Sequence, residues 1–192
     1  MKELLLKQEI LSQKVILEDK NKINIIAGIS LRSIDNEIFS SIVLCEYPQM
    51  KLIEHTFSRV KTDFPYIPGL LVYREGLAII LAYKKLKKKP DLILLKASGI
   101  CHPRFFGMAS HIGLLLKVPT IGITKKLLCG KVLGNKIFYK GRHVGWSFRN
   151  IYISPGYNIS LTSSLKIIKT VSYTHLRAHE TRHDLVCRLL LE

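Results

Sequence analysis

A chain of 192 residues is long enough for one domain with its own core, and an apolar fraction of 47% fits a globular protein rather than a disordered one. Its formal net charge of +16, from 30 Lys and Arg against 14 Asp and Glu, favours polyanionic partners. Cys45, Cys101, Cys129 and Cys187 lack C-x-x-C spacing, which argues against a zinc ribbon or a disulfide framework, while the early charges of Met1–Glu9 and the lack of a long apolar run argue against a signal peptide or a membrane span. A cytoplasmic, monomeric protein is expected.

Leu4, Leu5, Ile10, Leu11, Val15 and Ile16 approximate a helical stripe over residues 3–19. The nearly continuous apolar run Ile23–Leu31 predicts a strand buried on both faces. Glu37–Glu46 and Lys51–Val60 read as two more strands, joined by Tyr47-Pro48-Gln49-Met50, so an antiparallel meander is expected. Leu70–Lys88 has helical spacing and stops before Pro90. Asp91–Lys96, Phe105–Leu116 and Pro119–Thr124 then alternate strand, helix, strand, which predicts parallel neighbours with crossover helices. Lys131–Ile153 reads as irregular β structure with turns at Gly134-Asn135 and Gly141, and Leu161–Lys169 as a short helix capped by Ser160. A meander followed by such units defines an α/β, ribonuclease-H-like fold: a mixed central sheet, part antiparallel meander and part parallel strands, flanked by helices.

Four motifs carry the functional reading. They are Phe64-Pro65-Tyr66-Ile67-Pro68-Gly69 running on to Tyr73-Arg74-Glu75-Gly76, then Gly99-Ile100-Cys101-His102-Pro103-Arg104, then Ala109-Ser110-His111-Ile112-Gly113, then Pro119–Lys126. Together they resemble endonuclease V, a family of repair nucleases that nick nucleic acid near deaminated adenine (inosine). The resemblance implies hydrolysis of a phosphodiester 3' to the inosine, in DNA or RNA, with Mg2+ or Mn2+ held by carboxylates.

Matched residue by residue, the resemblance makes Glu75 the supporting glutamate, His102 a histidine of the site and Lys125 a lysine near the scissile phosphate. It places family metal-ligand positions at Ser30, in Ala27-Gly28-Ile29-Ser30-Leu31, and at Lys96, in Leu94-Leu95-Lys96-Ala97-Ser98-Gly99. The family carries aspartate at both. A hydroxyl is a weak ligand for a hard dication, and an ammonium places a cation where the metal would sit. The alternative reading is therefore a catalytically impaired homologue that binds inosine-containing strands, with the Lys96 ammonium paired to the Glu75 carboxylate. Pro65, Tyr66, Ile67 and Pro68 match the wedge that the family inserts at the lesion, and Gly99 and Arg104 fall in the motif expected at the flipped nucleotide. Lys84, Lys85, Lys87, Lys88 and Lys89 suit either the negative end of their helix or contact with phosphate.

Residues 1–170 read as one endonuclease V-like domain. From Val171 the text resembles a translated sequencing-adapter read-through, so 171–192 are expected to be a non-native tail that replaces the original C-terminus. Within it, His179-Glu180-Thr181-Arg182-His183 matches H-E-x-x-H, but polar flanks and the lack of a third ligand argue against a zinc protease. The resemblance also implies a later active-site histidine. His175, His179 and His183 are not assigned to it.

Overall fold

The apolar run after Asn24 becomes the first strand of the sheet because its hydrophobic side chains have cores to enter on both faces. The computed structural model of the chain describes residues 1–19 and 22–178. Strands β1 (Ile25–Ile34), β2 (Glu37–Glu46) and β3 (Lys51–Lys61) form the expected antiparallel meander. Helix α2 (Leu71–Lys84) leads to β4 (Leu92–Leu95), which pairs parallel to β1. Helix α3 (Met108–Leu116) leads to β5 (Thr120–Thr124), parallel to β4.

The segment expected to be irregular is regular instead. It supplies β6 (Lys131–Leu133), β7 (Lys136–Tyr139), β8 (Arg142–Phe148) and β9 (Ile151–Tyr157), and β9 pairs antiparallel with β5. The result is one nine-stranded sheet in the order β3-β2-β1-β4-β5-β9-β8-β7-β6. Its turns do fall at Gly134 and Gly141, both with positive φ.

Period-two alternation sorts the central strands onto two faces. Ala27, Ile29, Ile93 and Leu95 pack with Val72 and Ile79 of α2 and Ile112 of α3. Ile26, Leu92, Leu94 and Ile121 pack on the other face with Ile167, Ile168 and Val171 of α4 (Leu161–Ala178). Ser163 N–H donates to Ser160 Oγ at 3.1 Å, the predicted cap. Asp19 reinforces it by accepting from Ser160 N–H at 2.9 Å and from Ser163 Oγ at 2.7 Å. No break in α4 marks position 170. The H-E-x-x-H match lies outside the described residues.

Helix ends differ from the sequence reading for local reasons. Helix α1 covers Lys2–Ser12 rather than reaching residue 19. Beyond it Val15 and Leu17 pack beside Ile100 and Val144, and Ile16 O accepts from Asn158 N–H at 2.7 Å, which holds the chain extended. Helix α3 begins at Met108 and not Phe105, because Phe105 has φ +53, a left-handed conformation that a helix cannot contain. Helix α2 ends at Lys84; Lys89 Nζ donates to the Tyr83 and Leu86 carbonyls at 3.2 Å, and Lys85 Nζ donates to Phe57 O at 2.8 Å. These two ammoniums serve carbonyls at the helix end and the neighbouring strand. No helix among the described residues is long and apolar enough to cross a membrane.

Candidate active site

Strand β4 ends at Leu95 alongside Ile29, midway along β1, and the register carried one step further places Ser30 next to Lys96. Ile26 faces Leu92 and Gly28 faces Leu94, so the next step on the same sheet face brings together residues 30 and 96; Lys96 N–H donates to Ile29 O at 3.4 Å. Ser30 is half-buried and Lys96 is exposed. A cleft of about 420 Å³ opens at the end of β4, lined among others by Tyr66, Pro68, Glu75, Lys96, His102 and Lys126 but not by Ser30.

Glu75 lies on α2, half-buried, and burial pushes its carboxyl above the usual range, with the Arg74 guanidinium opposing that shift. The expected Lys96–Glu75 ion pair does not form: neither side chain has a hydrogen-bond or ion-pair partner among the described residues. Helix α2 covers the face of Ile93 and Leu95, and Lys96 lies just past the end of β4, where Ala97 N–H turns back to Leu95 O at 2.7 Å, so the two side chains line one cleft without meeting.

The donor set does not fit a divalent ion. Magnesium and manganese favour hard oxygen ligands, and here the two family ligand positions hold a hydroxyl and an ammonium, with Glu75 the sole acid among the lining residues. No group of three or more His, Cys, Asp or Glu able to hold a metal exists among the described residues.

Around the cleft, one carbonyl organises the predicted nucleic-acid residues. Gly69 O accepts from Gln8 Nε2 at 3.0 Å, from Arg104 Nη2 at 3.0 Å and from His102 Nε2 at 3.2 Å. Arg104 N–H donates to His102 Nδ1 at 3.3 Å, which leaves the Nε2 proton for Gly69 and uses both ring nitrogens inside the chain. Arg104 Nε also donates to Gln8 Oε1 at 2.7 Å. Gly69 sits at φ +82, and a Cβ there would stand 2.9 Å from Arg104 Nη2. The knot joins α1, the Pro65–Gly69 loop and the Cys101–Arg104 turn. Arg74 anchors the start of the loop by donating to Phe64 O, and to Asp35 O at 3.0 Å.

Held from both ends, the loop presents Pro65, Tyr66 and Pro68 to solvent, with Tyr66 67% exposed and Ile67 half-buried. Gly99 is placed differently. It is buried, its N–H donates to Ser154 Oγ at 3.1 Å, and its carbonyl accepts from Gly107 N–H at 2.9 Å. Lys125 is exposed just after β5, while its neighbour Lys126 lines the cleft. Two residues of this region escaped the sequence reading. Gln8 is a buried polar residue on a helix whose predicted apolar position Ile10 is 52% exposed, and only the tertiary contact reveals it. Lys126 is one of two adjacent lysines that nothing in the motif separates.

Burial holds His102 neutral, lowering its pKa to about 4 with the Arg104 charge adding to the effect and the Gly69 bond opposing it. His111 on α3 is likewise lowered to about 4, by burial and then by Lys7. Both folded values lie below the ordinary value of 6.5. Stability from these rings is therefore complete above pH 6.5 and is lost as pH falls towards 4, where the unfolded chain takes up protons that the folded one refuses. The loss amounts to at most about 3 kcal/mol per ring. Urea unfolding between pH 8 and 4 should show it, and His102→Gln should flatten the fall by roughly half while lowering stability at neutral pH; an unchanged slope would contradict the assignment.

A mixed sheet with a cleft at the carboxyl ends of its parallel strands, an exposed Pro65–Pro68 loop on its rim and a strongly basic chain defines a ribonuclease-H-like nuclease scaffold. The family model for Endonuclease V matches residues 9–183. The chain is 40% identical over 180 residues to Endonuclease V of Dictyoglomus turgidum, covering 86% of this chain and 79% of that one. It is 39% identical over 178 residues to Endonuclease V of Rippkaea orientalis, covering 84% and 78%. Among solved structures it is similar to Ciona intestinalis Endonuclease V in complex with a 24mer DNA containing an inosine followed by a ribo-adenosine, with TM-score 0.78, 26% identity and 88% of each chain covered. This chain belongs to the endonuclease V family.

Proposed function

We propose that this chain recognises inosine-containing nucleic acid through the Tyr66 wedge and the adjoining cleft, and that its strand-end site does not support metal-dependent hydrolysis. The observation that carries the reading is the placement of Ser30 beside Lys96 where β4 ends against β1, next to the exposed Pro65–Pro68 loop. Recognition requires the wedge, the knot that holds it and the basic surface. None of these depends on an ion. In this reading Tyr66 stacks where a base has left the helix, His102 and Arg104 fix the loop through Gly69, and Glu75, His102 and Lys125 are the residues inherited for hydrolysis.

A second reading, metal-dependent nicking by a rebuilt ligand set with Mg2+ or Mn2+, is favoured by the half-buried Glu75 carboxyl at the cleft.

Anisotropy titrations with a deoxyinosine strand and its deoxyadenosine counterpart, in EDTA, test recognition. Tighter binding of the inosine strand is expected, and equal affinity would overturn the reading. Tyr66→Ala should weaken inosine binding by about 1–3 kcal/mol, roughly 5- to 150-fold. Because Tyr66 is 67% exposed, its unfolding midpoint should stay unchanged.

A further inference from the structure

Lys96 and Lys126 both line the strand-end cleft, and neither side chain has a hydrogen-bond or ion-pair partner among the described residues. Glu75 is the only acid among the lining residues and makes no ion pair with either lysine. The two lysines therefore share one concave surface with a single acid that pairs with neither, and the lining carries an excess of basic over acidic residues. Concave basic surfaces concentrate anions, because the low-dielectric walls focus the field. Tyr66 stands on the rim of the same cleft, so a strand with one base against the ring would bring its backbone to the strand ends. Ser98 and Thr124, also in the lining, add hydroxyl groups that can donate to phosphate oxygens.

We propose that Lys96, with Lys126, forms a metal-independent binding site for a backbone phosphate of the nucleic-acid strand engaged by the wedge. The proposal rests on the recognition reading above and goes beyond it by naming the group bound at the former metal position. The ammonium supplies the positive charge that a bound ion would otherwise bring, but as a fixed point charge with no water to activate. The site therefore holds a phosphodiester and does not attack it. Lys fits such a role because it donates up to three hydrogen bonds from a compact, mobile head.

The test measures affinity for the deoxyinosine strand in EDTA over a series of salt concentrations. It compares the parent with Lys96→Met, Lys126→Met and the control Lys51→Met. Lys51 pairs with Glu46, which faces Ile25 at the opposite end of β1, so it lies away from the cleft. The parent should bind in EDTA and gain nothing from added magnesium. Lys96→Met should bind about tenfold more weakly at low salt, and its slope of log K against log salt should fall by about one. Lys126→Met should behave similarly and Lys51→Met should match the parent. Binding by the parent that requires magnesium, or a Lys96→Met variant with parental affinity and slope, would overturn the site. Inosine preference retained alongside an unaffected Lys96→Met variant would leave the recognition reading standing and remove only this site. Loss of inosine preference with the Lys96 effect intact would support the phosphate site and overturn the recognition reading.

Discussion

A labelled strand bearing one deoxyinosine should stay intact when incubated with this chain in magnesium or manganese, and should be nicked by the double variant Ser30→Asp, Lys96→Asp. The expected size follows from charge. An ammonium about 4 Å from a divalent ion repels it by roughly 8 kcal/mol at an effective dielectric constant of 20, more than one remaining carboxylate can offset. Replacing it with a carboxylate reverses the sign and supplies a hard oxygen ligand, while Ser30→Asp supplies a second from the neighbouring strand β1. A bound ion contributes several kcal/mol to phosphodiester hydrolysis, so the double variant should cut on the order of 10³-fold faster than the parent. Calorimetry with manganese gives an independent readout: the double variant should take up the ion and the parent should not. Cleavage by the parent that disappears in Glu75→Ala would show a rebuilt metal set and refute the argument from ligand chemistry.

The second large effect concerns Gly99. A Cβ at this position would lie 2.1 Å from Pro155 O and 2.7 Å from Ser154 O, both backbone atoms of β9. The same stretch is fastened there by Ile100 N–H to Pro155 O at 2.9 Å and by the N–H groups of Gly99 and Cys101 to Ser154 Oγ at 3.1 and 3.0 Å. Neither backbone can withdraw without breaking these bonds. Gly99→Ala should therefore cost about 3 kcal/mol or more, or prevent folding. Gly134→Ala serves as the comparison. Its Cβ would meet nothing within 4 Å, and only its φ of +61 opposes the change, so about 1 kcal/mol is expected. Denaturant unfolding without nucleic acid separates the two roles of Gly99. A Gly99→Ala variant of parental stability that binds strands poorly would assign the glycine to the nucleic acid and not to the packing against β9.

Much of the fold was legible because local signals agreed with it. The strand Glu37–Glu46 matches the sequence reading at both ends, since Asp35-Asn36 and Tyr47-Pro48 punctuate an otherwise unbroken β pattern. The β4-α3-β5 unit followed from short apolar runs separated by a helical one. The β6–β9 region was read as irregular because its strands are short, its exposed positions are mixed, and its pairing with β5 joins residues far apart in the chain. Helix α1 was drawn too long because a stripe of apolar residues cannot show that Val15 and Leu17 leave it to pack elsewhere.

The amino-acid sequence by itself determined the family, the Pro65-Tyr66-Ile67-Pro68 motif and the presence of Ser30 and Lys96 at positions where the resemblance expects carboxylates, because these are properties of residue order and need no partner across the fold. Only the tertiary structure decided how those residues stand to one another. It left Lys96 and Glu75 lining one cleft without an ion pair, buried Gln8, and turned Gly69 O into the acceptor that ties His102 and Arg104 to the Pro65–Gly69 loop. The physical reason is that an ion pair or a shared acceptor depends on direction and distance between segments up to 96 residues apart. The packing of helix, loop and turn against one another specifies both, and the motif specifies neither.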